Sequence, residues 1–417
     1  LSGFNALSAQ KLPWPKDLPP APRLEQGSAY AMLATLNSPA PASDDWPAYR
    51  HDAARSGSVK SPVPASVSPV WQLDLGGKLS QPVVADGKLL VSSLDTHRVL
   101  AFDAKTGKPL WTFTAGGRVD SPPTFHKGKI LFGSADGWVY CLRASDGALG
   151  WRFRAAPEER RVIAFGRLES TWPVHGSVLI QNETAYVTAG RSTFLDGGIY
   201  LCALDPATGK LLHDAHVEGP YPDIVNDAGS SGRMDGATSD VLVGDGKFVY
   251  LRQLKFDSEL KELKPAVPVS PREQRYIGLH LMASSSLLDD SGFNRIGWTY
   301  GDTWPIAEGT PILSFDSTTT YGAQPFTKQQ GQSPVYFPAT DCIRLFANKN
   351  ASTSEELDAA SEENAQPSAA KQTPAQTVEQ PKKQKKLRKK AAAEAAWSVT
   401  IPVRVRAMVL ADKTLFI

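Results

Sequence analysis

Residues 101–111 read AFDAKTGKPLW, and residues 141–151 read CLRASDGALGW. Few side chains match. Both phrases nevertheless run through a small residue, an apolar residue, a turn with Gly107 or Gly147, and a closing Trp. A phrase that returns at fixed spacing marks a repeat architecture. Trp71, Trp111 and Trp151 stand 40 residues apart, and the Gly-Gly pair and Pro that follow Trp71 and Trp111 keep identical offsets. Residues 71–91 align without a gap to 397–417, which puts Trp397 in the same place. A further turn phrase, LDPATGKLLH (204–213), has His213 at the Trp position.

Within each unit, short runs rich in Val, Ile, Leu, Phe and Tyr alternate with breaks rich in Gly and Asp. That pattern reads as strands and hairpins. Asp103 and Asp205 are placed to accept backbone N–H groups, and Gly107 and Gly209 to take positive φ. Four strands in about 40 residues make one propeller blade. TPR and HEAT units need a helical periodicity that is absent here, WD40 units a Trp-Asp dipeptide, and Kelch units a period near 50 residues.

The phrases AFDAKTGKPLWTF, CLRASDGALGWRF and CALDPATGKL resemble the A-x-D-x-x-T-G-x-x-x-W repeat of PQQ-like β-propeller proteins. That superfamily includes quinoprotein alcohol dehydrogenases and the outer-membrane assembly lipoprotein of the Bam complex. The resemblance is plain over 62–215 and 397–417 and weaker over 236–346. It implies an all-β fold, a propeller of four-stranded antiparallel blades. The family ring has seven or eight blades, of which about five to six would lie here, so the sequence reads as part of a larger bacterial protein.

Composition sets few further limits. The 417 residues are 41% hydrophobic and 21% charged, with a net charge of +2, which gives no electrostatic footprint for nucleic acid. No window is apolar over the 18 or so residues of a membrane span, and no signal peptide is visible. Cys141, Cys202 and Cys342 form no CxxC, and small buried residues are expected at such positions.

Along the chain, 1–44 is Pro- and Ala-rich and reads as a linker or the end of an upstream domain. Residues 45–417 read as the incomplete propeller, opened by DWPAYRHDAARSG (45–57), in which His51 and Arg55 would tie the entry segment to the blades. Blades are expected at 79–113, 119–153 and 170–215, with a fourth from 236. PILSFDSTTTYGAQPF would close that fourth blade, and a fifth would begin near 333 with its outer strand at 397–403. The low-complexity stretch 350–396 is expected to be a disordered insertion.

There is no HExxH, P-loop, GxSxG or EF-hand loop. Function on propellers gathers on loops at the mouth of the channel. Three irregular stretches are therefore the candidates for ligand binding. They are 165–176, with Arg167, Glu169 and Trp172; 189–198, with Arg191 and Asp196; and 280–304, with Asp289, Asp290, Asn294 and Arg295. No catalytic or metal-ligating residue is assigned.

The resemblance implies first a non-catalytic scaffold or binding module of the bacterial envelope, periplasmic or exported. It would take a protein or peptide partner, or a glycan, and no cofactor. The alternative it implies is a PQQ- and Ca²⁺-dependent dehydrogenase, with Trp172 as the stacking platform and Asp289 and Asp290 near the ion. The adjacent Cys-Cys pair typical of those enzymes is not in this sequence.

Overall fold

In the computed structural model, the quoted phrases are the third strand, turn and fourth strand of successive antiparallel sheets. The structure describes residues 22–36, 39–164, 166–193, 195–218, 241–252, 254–264, 280–283, 298–300, 312–325, 343–350, 396–403 and 405–417.

In chain order the elements begin with β1 (Leu24–Gln26), α1 (Tyr30–Thr35) and β2 (Ser58–Val59). Blade one is β3 (Val83–Ala85), β4 (Lys88–Ser93), β5 (Arg98–Asp103) and β6 (Pro109–Thr114). Blade two is β7 (Thr124–His126), β8 (Lys129–Gly133), β9 (Trp138–Arg143) and β10 (Leu149–Arg154). A separate hairpin, β11 (Arg161–Ala164) and β12 (Arg167–Ser170), precedes blade three. Blade three is β13 (Leu179–Gln181), β14 (Thr184–Ala189), β15 (Ile199–Leu204) and β16 (Leu211–Val217). Next come β17 (Leu242–Gly244), β18 (Val249–Leu251) and β19 (Leu254–Phe256), which form one sheet, and the pair β20 (Leu281–Ala283) and β21 (Trp298–Tyr300). Blade five is β22 (Ile312–Phe315), β23 (Thr319–Pro325), β24 (Ile343–Lys349) and β25 (Trp397–Ile401). The hairpin β26 (Val409–Ala411) and β27 (Thr414–Phe416) follows it, with β2 parallel to β26. The protein is an all-β propeller of four-stranded antiparallel blades.

The repeat is explained by how each Trp docks. Trp71 Nε1 donates to the Ala104 carbonyl at 3.1 Å, Trp111 to Ala144 at 3.0 Å, and Trp151 to Pro206 at 3.2 Å. Each indole thus reaches from the end of one unit onto the turn of the next. The turn residue beneath it must be glycine. Gly107, Gly147 and Gly209 have φ of +70, +73 and +69°, and an added Cβ would come within 2.7 Å of the indole. Asp103 Oδ1 holds the first of these turns by accepting from the Lys105 and Thr106 amides at 3.1 and 2.8 Å. Trp397 departs from the pattern: it is 43% exposed and meets Tyr321 at 6.4 Å.

Two further expectations differ from the structure. Within the stretch read as a linker, β1 pairs with β10 as a fifth strand on blade two, and Leu33 of α1 is fully buried against Gly150, where a Cβ has no room. Its Pro-rich flanks hid this short apolar anchor. The stretch expected to close blade four instead forms β22 and β23, the first two strands of blade five. β25 pairs with β24 across the low-complexity stretch, whose residues 351–395 lie outside those described.

The entry segment lies on the free edges of the innermost strands. Trp46 bridges to Val84, and the Pro47, Ala53, Ser56 and Gly57 carbonyls accept from Phe125, Gly244, Phe315 and Leu410. It therefore laces five sheets together along the ring's inner side. Arg55, fully buried, donates to the carbonyls of Tyr49, Ser177, Val178 and Leu242, and burial pushes its pKa down to about 10. Arg55 ties the segment to the blades as expected, whereas the His51 ring stays within it, 5.1 Å from Trp46.

Asp52 braces this lace by accepting from Ser56 N and Oγ at 2.9 and 2.6 Å. Burial works to raise its pKa, but hydrogen bonds from His51 and Ser56 outweigh it and hold the carboxyl below its ordinary 3.8. A depressed carboxylate stabilises the fold above its unfolded pKa, and that stabilisation is lost as pH falls through the folded value. Acid unfolding below about pH 4 is therefore expected to include an Asp52 component. In pH melts followed by tryptophan emission, Asp52→Asn should flatten the acid limb. An unchanged limb would remove Asp52 from the account.

Candidate functional site

The site forms where loops from three blades meet. One loop (115–123) joins β6 to β7. Another (155–178) joins β10 to β13 and carries the β11–β12 hairpin. A third (190–198) joins β14 to β15. From the first come Arg118 and Asp120, from the second Glu169 and His175, and from the third Arg191.

Their side chains make one buried charge network. Arg118 Nε lies 2.6 Å from Asp120 Oδ1, and its Nη2 lies 3.5 Å from Glu169 Oε1. Arg191 Nη2 donates to Glu169 Oε2, and its Nη1 donates to the Ser170 and Thr171 carbonyls at 3.3 and 3.4 Å. His175 Nδ1 stands 2.6 Å from Asp120 Oδ2, which places a proton on Nδ1 for that contact. The side chains of Asp120 and His175 are 0% exposed and that of Glu169 is 2% exposed. An isolated charge at such depth is costly; here two guanidinium groups face two carboxylates, and the formal charges cancel.

Beside the network, Trp172 is 4% exposed. Its Nε1 donates to the Asp196 carbonyl at 2.9 Å, the Arg160 guanidinium lies over its ring at 4.6 Å, and Tyr200 meets it edge-on. Arg160 also pairs with the Asp196 carboxylate at 3.1 Å. Arg167 reaches across to Asp95 of blade one. Above this floor the hairpin shows solvent an apolar pair. Ile163 and Leu168 are directly opposed in its register and are 59% and 62% exposed, while Arg160, Arg161 and Arg167 pair with Asp196, Glu159 and Asp95.

Of the residues selected from sequence, Glu169, Arg191, Trp172 and Asp196 fall within this region, with Arg167 at its rim. Asp289, Asp290, Asn294 and Arg295 lie outside the described residues. Sequence reasoning missed Arg118, Asp120 and His175. A signal was present for one of them: Asp120 stands where the preceding unit has Ser80, so a carboxylate enters the loop against the repeat, whereas Arg118 keeps the positive charge of Lys78.

Among the described residues, no group of three or more His, Cys, Asp or Glu is arranged to hold a metal ion. The buried thiols are poor nucleophiles, since burial pushes Cys202 up to about 11 and Cys141 higher still. A cavity of about 170 Å³ lies against the inner lace, lined by His51, Asp52, Arg55, Phe125 and His126, but Asp52 and Arg55 are already engaged within the fold. No helix among the described residues is long and apolar enough to cross a membrane.

Residues 55–255 match the family model described as outer membrane protein assembly factor BamB. The chain is 25% identical over 222 residues to BamB of Yersinia pestis, covering 42% of this chain and 56% of that one. It is 29% identical over 155 residues to the dehydrogenase subunit of alcohol dehydrogenase (quinone) from Gluconacetobacter polyoxogenes, covering 34% of this chain and 20% of that one. These matches thus span at most about half the length of the relatives. Among solved structures, the chain is similar to quinohemoprotein alcohol dehydrogenase from Comamonas testosteroni, with a TM-score of 0.49 and 14% identity over 92% of this chain and 72% of that one. With its docked tryptophans, its four-stranded blades and these sequence matches, the chain carries PQQ-like β-propeller repeats, and over part of its length it is similar both to BamB assembly factors and to quinone-dependent alcohol dehydrogenases.

Proposed function

We propose that this propeller is a non-catalytic binding module of the bacterial envelope that docks a protein segment on its three-loop face. The observation that carries this reading is the hairpin apolar pair, Ile163 and Leu168, directly opposed in register and exposed at 59% and 62%. A two-stranded hairpin alone is marginal in water. This one is held from below through Glu169, which gives a preformed surface at low ordering cost. A partner segment that fits it presents apolar side chains to that pair. The similarity to an assembly factor named for the outer membrane supports the envelope placement.

The quinone-dependent reading fits the described residues less well. A quinone needs an open ring face to stack on, and Arg160 covers that of Trp172. The nearby carboxylates, Asp120 and Glu169, already hold arginines.

Photo-crosslinking tests the docking surface. A crosslinker in place of Ile163 should give one discrete protein adduct in the native host, and Leu168→Asp should abolish it while thermal stability stays unchanged. Adducts that are absent, or indifferent to Leu168→Asp, would sink the assignment of this face.

A further inference from the structure

The cavity of about 170 Å³ lies between β7, β13 and the entry segment. His126, in its lining, is the last residue of β7, which sets out from the three-loop face. The cavity therefore reaches toward the opposite end of the ring. Two histidines line it, and each stands beside a carboxylate. His51 Nδ1 is 3.5 Å from Asp52 Oδ2, and His126 Nε2 is 3.3 Å from Glu183 Oε2. A carboxylate draws the imidazole proton to the nitrogen that faces it and leaves the other nitrogen as an acceptor. Among the described residues, no hydrogen bond engages His51 Nε2 or His126 Nδ1. Other polar groups of the lining are engaged: Asp52 accepts from Ser56, Arg55 donates to carbonyls, and Thr124 Oγ1 donates to the Val178 carbonyl at 2.8 Å.

The backbone beside the cavity is strained. Arg50, His51 and Arg55 hold φ of +56, +79 and +58°, a left-handed conformation that non-glycine residues keep only where their surroundings impose it. Strain of this kind clusters at ligand clamps.

Size and chemistry narrow the occupant. An engineered apolar cavity of about 150 Å³ takes one benzene, so this volume suits a single six-membered ring. Pro47, Ala53, Phe125, Leu179 and Ile180 supply apolar walls, against which a sugar would leave hydroxyls unpaired. An anion would meet nitrogen lone pairs rather than N–H groups. Burial, with Lys129 and Lys127 adding to it against the pull of Glu183, holds the His126 imidazole below its ordinary 6.5. The same surroundings disfavour a cationic ligand.

We infer that this cavity is a binding site for a small neutral ring of the phenol class, with its body on the apolar walls and its hydroxyl donating to His51 Nε2 or His126 Nδ1. The site is separate from the hairpin face, since neither Ile163 nor Leu168 lines it.

Calorimetric titration of the whole protein with phenol tests this, with anisole as the donor-free counterpart. Phenol is expected to bind saturably at one site, and anisole about 10-fold more weakly, the worth of one hydrogen bond. His51→Phe and His126→Phe each keep a ring in place and remove an acceptor, so the preference for phenol should vanish in at least one of them, with thermal melts as the check on folding. Leu168→Asp should leave phenol affinity unchanged. Absence of saturable phenol binding would overturn the inference, and so would equal affinities for phenol and anisole in the unaltered protein, whether or not the variants fold. A preference that survives in both folded histidine variants, or a loss of phenol binding in Leu168→Asp, would move the site elsewhere and overturn it too.

Discussion

Trp151→Ala is expected to cost about 3–5 kcal/mol in denaturant melts, the range for removing a large aromatic from a close-packed core. Trp151 is 0% exposed and packs among Leu33, Cys141, Phe153 and Leu204, so its indole fills the seam between blades two and three. The substitution also takes the Nε1 donor from the Pro206 carbonyl and leaves it only the Cys141 thiol at 3.8 Å. Against a total stability of roughly 5–15 kcal/mol, such a loss is a large fraction. Trp111 makes the same hydrogen bond but is only half-buried, so Trp111→Ala should cost less. Equal losses at the two positions would contradict the view that seam burial, rather than the hydrogen bond, sets the energy.

Glu169→Ala carries the second large effect. The carboxylate faces Arg118 and Arg191, and its removal leaves two guanidinium groups short of charge at a depth where only 2% of the glutamate side chain meets solvent. Breaking a buried pair from one side typically costs about 3–5 kcal/mol. The penalty is largely that of the abandoned partner, so Glu169→Ala combined with Arg191→Met should cost less than the sum of the two single changes. Strict additivity in equilibrium unfolding would show that the residues do not act as a network. The hairpin should also become more protease-sensitive in Glu169→Ala, because its floor is gone.

The repeat was legible in the sequence because its causes are local. A Trp at one end, a Gly forced by that Trp at the next turn, and an Asp closing the turn all leave fixed spacings. The same logic let Glu169 and Arg191 be selected, since both sit where loops outgrow the repeat. What could not be read was pairing across loops. Nothing local in GGRVDSP says that Arg118 meets Glu169 some fifty residues later, or that His175 turns to Asp120. Blade five was read with its outer strand in the right place across the long polar stretch, but its first two strands were given to the fourth blade, because chain order alone does not say which sheet a hairpin joins. The inner lace was half legible. His51 and Arg55 were read together as ties to the blades, but only the fold shows that Arg55 alone reaches across and that carbonyls, not a carboxylate, receive it.

The central claim is a propeller that binds through its loop face without a quinone. Calorimetric titration of the protein with PQQ and Ca²⁺ tests it most directly. The account predicts no saturable heat up to high micromolar ligand, with or without calcium. Saturable, calcium-dependent binding would contradict it, and would require Arg160 to leave the face of Trp172.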